Sequence, residues 1–342
     1  MFLNLWLTRR KSAACLTLLI GVTLLLWKKH IDNENRVPLS ESWKYLMDKG
    51  LMTQLTLIQE CPWEPNATAV MEYRAELGEC CNASYLLVGT KENTPLGSTI
   101  HLDGHRRKNI TAYSELVNLL SERSPLAGFQ YNKCALIGNG GILRHSSCGQ
   151  EIDQADLIIR FNLPPMNYTE DVGTKTSLVT INPSILNNKF QSLQGPQKPF
   201  LDALQAYRDA LFLIPSLSFS SHHVLGCRAV SIMKDSGLTH RAFFLHPHYL
   251  GAIRKYWEQK GLKEIRLSTG FLFISIALEF CEHITLYGFW PFSYDLTGEP
   301  LSHHYYDNIL PNAGFHTMSE EFLHYLNMYA QGVLRIQLGK CQ

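Results

Sequence analysis

The sequence predicts a doubly wound α/β domain on a mostly parallel sheet, and three observations carry that prediction. From Tyr131 onward, short apolar runs alternate with helical stretches, the order that winds a parallel sheet on both faces. The runs are short and apolar, as buried strands are. Asn139 follows the first run, and Asn162 and Asn182 close the next two. Asparagine is a poor strand former, so three of them at strand exits collect polar groups along one edge of the sheet, although turn chemistry explains any single one.

In chain order the strand candidates are residues 134–138, 157–162, 177–182, 210–215, 242–247 and 284–289. Helical stretches at 200–209, 224–234, 249–259 and 271–282 lie between them, and a last helix, 320–329, follows the long loop after Trp290. Residues 30–125 are polar with a modest helical pattern; the first part reads as a stem and the rest as packing on the main domain. Ligands of such sheets bind beyond the carboxyl ends of the strands, so that is where chemistry is expected.

Composition excludes several classes. With 31 basic against 30 acidic residues, no strongly basic surface points to nucleic acid, and 45% hydrophobic residues exclude a disordered chain. The N-terminus differs from the rest. Arg9-Arg10-Lys11 precede the apolar run "SAACLTLLIGVTLLLW" (residues 12–27), and Lys28-Lys29 close it. As a helix that run spans about 24 Å, enough for a thin early-secretory or Golgi bilayer. A cleaved signal is the rival, but no small residues suited to cleavage follow.

Two features place the remainder in a secretory lumen. Four N-x-[ST] sequons occur, at Asn66, Asn82, Asn109 and Asn167. Setting Cys15 aside, eight cysteines follow, an even number consistent with an oxidising compartment. No C-x-x-C pair suggests zinc. The expected organisation is a cytoplasmic tail (1–11), a signal anchor (12–27), a stem (28–75) and a lumenal domain (76–342), a single-pass type II arrangement.

Gly138-Asn139-Gly140-Gly141 follows a strand, as a dinucleotide loop should, but Leu143 stands where the third small residue is needed, and no P-loop lysine is present. A tight turn is the plain structural reading. Ser268-Thr269-Gly270 precede an apolar helix; they cap it, and the same free N–H groups and dipole suit a phosphate. His303, His304 and His316 sit near Tyr305, Tyr306 and Asp307, yet no second element completes a metal set and no Asp-x-Asp clamp exists. Thr317-x-x-Glu320 has the form of a capping box, which puts His316 just before the final helix. There the helix dipole favours a neutral imidazole, a competent general base. Glu321 either orients His316 or simply belongs to the first turn.

These residues resemble a family, the animal sialyltransferases, most closely their alpha-2,8 group, over roughly residues 80–341. The stretch "CALIGNGGILRHSSCGQEIDQADLIIRFNLPPMNYTEDVGTKTSLVTIN" resembles the family's long motif, and "RLSTGFLFISIALEFCEHITLYGFW" its short motif. "HYYD" and His316-x-x-x-x-Glu321 resemble the third and very short motifs. The resemblance implies a Rossmann-like variant of the GT-A glycosyltransferase fold and CMP-sialic acid as donor, with neither metal nor cofactor. It implies that Asn139, Asn162, Ser268, Thr269, Gly270 and Trp290 bind the donor, that His304 stabilises the leaving phosphate, and that His316 is the base. It also implies the disulfides Cys134–Cys281 and Cys148–Cys341, leaving Cys61, Cys80, Cys81 and Cys227 open.

The expected reaction is inverting transfer of sialic acid to the terminal sialic acid of a glycan. Residues 235–266 form only a weak basic face, against a track for a long polymer. "CCNA", "NGGIL", "FNLPP" and "SHHYYDN" are most similar to the subgroup acting on gangliosides or short sialylated glycans. A glycolipid acceptor is favoured over an O-glycan of a glycoprotein, in the Golgi membrane, with a homo-oligomer left open. Rivals are a dinucleotide oxidoreductase, an alpha-2,3 or alpha-2,6 enzyme, and a silent lumenal binder of sialylated glycans. Retention of both His304 and His316 speaks against the last.

Overall fold

A computed structural model describes Thr17, Gly21 and residues 41–59, 61–102, 109–217, 220–262, 266–309 and 318–341. The N-terminal part forms three helices, α1 (Glu41–Gln59), α2 (Ala67–Cys80) and α3 (Ala83–Leu86). The antiparallel pair β1 (Thr99–His101) and β2 (Asn109–Thr111) and the turn α4 (Ser114–Val117) come next. The main body then runs β3 (Tyr131–Ile137), α5 (Gly149–Ile152), β4 (Leu157–Arg160), α6 (Thr169–Val172), β5 (Leu178–Thr180), α7 (Pro183–Asn188), α8 (Lys198–Gln205) and β6 (Leu211–Ile214). It closes with α9 (Ser220–Asp235), β7 (Ala242–Phe244), α10 (Pro247–Gln259), α11 (Thr269–Phe280), β8 (Cys281–Tyr287), α12 (Met318–Ala330) and β9 (Arg335–Gln337).

Seven strands make one parallel sheet in the order β7-β6-β5-β4-β3-β8-β9. The chain winds outward from β3 to β7, then returns to the far side of β3. The direction of winding reverses between β3 and β8, so their carboxyl ends frame a switch-point crevice, where ligands of open α/β sheets bind. Period-two alternation sorts the side chains onto two faces. Leu136, Leu157 and Ile159 enter one core with α11, while Ala135, Ile137 and Ile158 enter another beneath the loop 302–306. Helix α11 is buried at every position from Phe271 to Phe280, which is why its sequence is apolar all round.

The strand between 281 and 287 begins three residues before its expected start and takes the end of the expected helix, because Cys281 pairs with Tyr131. The stem expected over 28–75 is not all linker. Leu51, Met52, Leu55 and Ile58 of α1 join the main core. Trp63 Nε1 donates to Tyr329 O at 3.0 Å and Arg74 Nη2 to Cys281 O at 2.7 Å. The expected anchor, 12–27, lies outside the described residues except for Thr17 and Gly21. Among the described residues, no helix is long and apolar enough to cross a membrane.

Cys134 is bonded to Cys281 and Cys148 to Cys341. The first bridge joins neighbouring strands toward their amino ends, away from the crevice; the second ties the C-terminal segment to the start of α5. Of the cysteines left open, Cys80 and Cys81 are bonded to each other and Cys227 is a free thiol. Cys227 packs beside His223, with its sulfur 3.8 Å from Nδ1. The sequon residues Asn66, Asn82, Asn109 and Asn167 are all exposed. Asn66 and Asn82 also cap α2 and α3 through Oδ1.

Candidate active site

The glycine turn after β3 serves packing. Gly138 N–H donates to Tyr287 O at 2.7 Å, Gly140 N–H to Gly288 O at 3.0 Å, and Gly141 N–H to His303 O at 3.2 Å. A Cβ at Gly138 or Gly140 would lie 2.6 Å from Gly288 O, and one at Gly141 would lie 2.0 Å from Ser302 O. Glycine is required because three loop backbones touch here. Their N–H groups are spent on one another, so this turn is no phosphate cradle. What it presents is Asn139. The Asn139 carbonyl accepts from Tyr305 N–H at 2.9 Å, and its Nδ2 donates to Phe161 O at 3.0 Å. Its Oδ1 is buried without a partner.

The other two strand-exit asparagines stand beside it. Asn162, in the left-handed region at φ 65°, donates its N–H to Thr180 Oγ1 at 2.9 Å, and its Oδ1 accepts from Asn182 N–H at 3.3 Å. Asn182 Nδ2 in turn reaches Thr269 Oγ1 at 3.2 Å, which connects the strand exits to the start of α11. Arg160 and two tyrosines steady this edge. The fully buried Arg160 side chain donates from Nη2 to Val172 O (2.6 Å) and Lys175 O (2.8 Å). Tyr305 Oη donates to Pro165 O at 3.1 Å and Tyr207 Oη to Pro164 O, so the left-handed turn at Asn162-Leu163 is held from beneath.

At the start of α11, Ser268 is the N-cap and accepts from Phe271 N–H at 3.1 Å. Its hydroxyl proton goes to Glu321 Oε2, and its N–H donates to Glu321 Oε1 at 2.6 Å. Glu321 is 0% exposed and also accepts from Tyr325 Oη at 3.1 Å. The role left open for Glu321 in the sequence is thus a clamp between the first turn of α12 and the cap of α11. With the Ser268 hydroxyl committed, the groups open to an anion are the N–H groups of Thr269 and Gly270, which have no partner within a helix, and the Thr269 hydroxyl. Gly270 lets this helix end approach Phe289, since a Cβ there would lie 2.8 Å from Cε1.

Trp290 is buried, with its Nε1 donating to Tyr294 O at 2.8 Å and its ring edge-on to Phe292 and Phe322. Its ring surface is its remaining means of touching a ligand. His304 faces the glycine turn across the Gly140–His304 bridge. Its Nδ1 lies 2.7 Å from Asp307 Oδ1 and its ring stacks on Tyr306 at 5.1 Å, so Asp307 fixes the imidazole with Nε2 turned away from it. Burial, with His304 adding to it, holds the neighbouring His303 below the ordinary histidine range. Among the described residues, no group of three or more His, Cys, Asp or Glu side chains is placed to hold a metal ion.

Residues 88–333 match the model of Glycosyltransferase family 29 (sialyltransferase). The chain belongs to that family. Its similarity to a mouse protein named "Alpha-2,8-sialyltransferase 8F" is 40% identity over 301 residues, covering 87% of this chain and 75% of the relative. A bovine "Alpha-N-acetylneuraminide alpha-2,8-sialyltransferase" is 39% identical over 299 residues, covering 87% and 84%. The fold is similar to that in "Crystal Structure of a Mammalian Sialyltransferase", with a TM-score of 0.52 and 20% identity over 81% of this chain and 96% of that one.

In this sialyltransferase, the crevice brings together Asn139, Asn162, Ser268, Thr269 and Gly270 from the residues expected to hold the donor, with His304 on a loop bonded to the same glycine turn. His316 lies outside the described residues; α12 starts at Met318. Sequence reasoning missed the supports. Asp307 stood in the quoted "HYYD", three residues past His304, a spacing that could have signalled the pair. Arg160 directly precedes Phe161-Asn162, where a charged residue in an otherwise apolar strand was the available signal.

Proposed function

We propose that this sialyltransferase moves sialic acid from CMP-sialic acid, with inversion, onto the terminal sialic acid of a sialylated glycan in alpha-2,8 linkage, and that its preferred acceptor is a ganglioside. The carrying observation is the convergence at the β3/β8 switch point of the α11 amino end, the strand-exit asparagines and the loop bearing the His304–Asp307 pair. The names of the relatives 39–40% identical to this chain support the linkage.

Chemistry follows from that layout. Negative charge grows on the phosphate as CMP departs, and preorganised donors at the start of α11 together with His304 stabilise it. The sialic acid centre becomes oxocarbenium-like, and the acceptor hydroxyl attacks from the opposite face. His316 is assigned the removal of the acceptor proton, a role worth about two to four orders of magnitude in rate. The catalytic body is a Rossmann-like GT-A variant, anchored by 12–27 in the Golgi membrane as a single-pass type II protein with the body lumenal. The linker of the stem is shorter than 28–75, since α1 already packs on the body from Leu51.

The test uses the full chain in detergent with CMP-sialic acid and four acceptors: a sialyl-lactosyl lipid, a sialylated O-glycan, and the asialo form of each. Transfer restricted to the sialylated acceptors, greatest for the lipid and lost in His316→Ala, is the expected result. Transfer to the asialo forms would refute the linkage, and preference for the O-glycan would refute the acceptor.

A further inference from the structure

Asn182 occupies the N-cap position of α7, where its side chain would ordinarily accept a hydrogen bond from the first turn. No such bond forms. The amide points instead across the crevice, with Nδ2 donating to Thr269 Oγ1, 87 residues away in sequence, at 3.2 Å. Oδ1 is left buried and unpartnered, as is Oδ1 of Asn139. Buried acceptors are nearly always satisfied, and one that gives up an available helix cap calls for a ligand explanation. The Phe161 carbonyl can only accept, which sets the Asn139 amide; at Asn182, Nδ2 donates to the Thr269 hydroxyl and Oδ1 is the acceptor left over. Thr269 receives a hydrogen bond on its oxygen, so its own proton turns outward, at the helix end where an anion is favoured.

We propose that Asn182 is a donor-site residue: Oδ1 accepts a hydrogen bond from an N–H or O–H of the bound cytidine nucleotide, and Nδ2 directs the Thr269 hydroxyl onto its phosphate. The assignment rests on the reading of the crevice as a cytidine-nucleotide site. A merely structural asparagine would act through its backbone N–H to Asn162, which side-chain substitution leaves in place.

Calorimetric titration of the full chain with CMP and with cytidine separates the two contributions. Asn182→Ala is expected to weaken CMP binding about 10- to 100-fold. The donor KM rises, while the acceptor KM and the melting temperature without ligand stay unchanged. Asn182→Asp keeps the size but draws the Thr269 proton to itself and adds charge near the phosphate, so it loses more affinity for CMP than for cytidine. Since the phosphate contact runs through Thr269, Asn182→Ala and Thr269→Val should be non-additive for CMP. If Asn182→Ala destabilises the chain, Asn182→Asp carries the test alone. CMP binding within twofold of wild type in either folded variant overturns the assignment and leaves the donor site standing. A wild-type chain that binds no CMP overturns both.

Discussion

Glu321→Ala removes the buried carboxylate that holds the cap of the phosphate-facing helix. Three donors lose their acceptor: Ser268 N–H at 2.6 Å, the Ser268 hydroxyl, and Tyr325 Oη at 3.1 Å. The two hydroxyls can rotate in search of another partner; the backbone N–H cannot. An unsatisfied buried donor costs about 1–3 kcal/mol, and the space left by the truncated side chain adds roughly 1–2 kcal/mol. The expected loss is about 2–5 kcal/mol, a fall of roughly 4–10 °C in Tm for a body of this size. Glu321→Gln keeps the volume and can leave its oxygen on the Ser268 N–H, with its amide group facing two hydroxyls able to accept. Its expected cost is about 1 kcal/mol. Thermal unfolding with and without CMP, together with the donor KM, measures both effects. Because the cap sets the position of Thr269 and Gly270, the alanine variant should also raise the donor KM at temperatures where it remains folded. A Tm within about 1 °C of wild type and a donor KM within twofold would refute the clamp.

Three further substitutions test other parts of the site and its support. Asp307→Asn frees the His304 ring and should lower kcat about 10- to 100-fold, with the acceptor KM unchanged, read from initial rates across pH. Gly141→Ala places a methyl group 2.0 Å from Ser302 O and should cost at least about 3 kcal/mol, seen as loss of folded protein or a large fall in Tm. Glu279, buried between Ala83 N–H (2.7 Å) and Tyr249 Oη (3.1 Å), has its pKa raised to about 7 by burial, against the opposing pull of those hydrogen bonds. The folded state therefore holds a proton that the unfolded chain has released between about pH 4.5 and 7. The Glu279 contribution falls as pH rises through that window and is flat above it, by up to about 3 kcal/mol. Glu279→Gln should accordingly stabilise the protein at pH 7.5 and change little at pH 4.5, measured by denaturant unfolding at both.

Much of the sheet was legible because buried parallel strands need runs of apolar residues and leave little ambiguity of type. The six strand candidates all fall on strands of the sheet. The seventh, Arg335–Gln337, and the pair Thr99–His101 with Asn109–Thr111 were not legible, since each holds a single apolar residue and so shows no apolar run. The boundary of the packed body was also hidden. Leu51, Met52, Leu55 and Ile58 look like an ordinary helical stripe, and only the surface they meet distinguishes a core helix from a stem.

The sequence by itself determined the alternation of strands and helices, the polar residues at the strand exits, and the motifs that resemble a sialyltransferase, since all of these depend on residue type and local spacing. Tertiary structure decided what those residues do. The glycines read as a tight turn at a strand end touch Gly288 and Ser302, more than 140 residues away, and serve backbone contact there. Ser268, read as a helix cap and donor ligand, spends its hydroxyl on Glu321, and Asn182, read with two other asparagines as a polar group on the sheet edge, reaches Thr269. Each of these roles is a hydrogen bond or steric contact between segments distant in the chain. Local spacing constrains which groups are available, and only the fold brings their partners within contact distance.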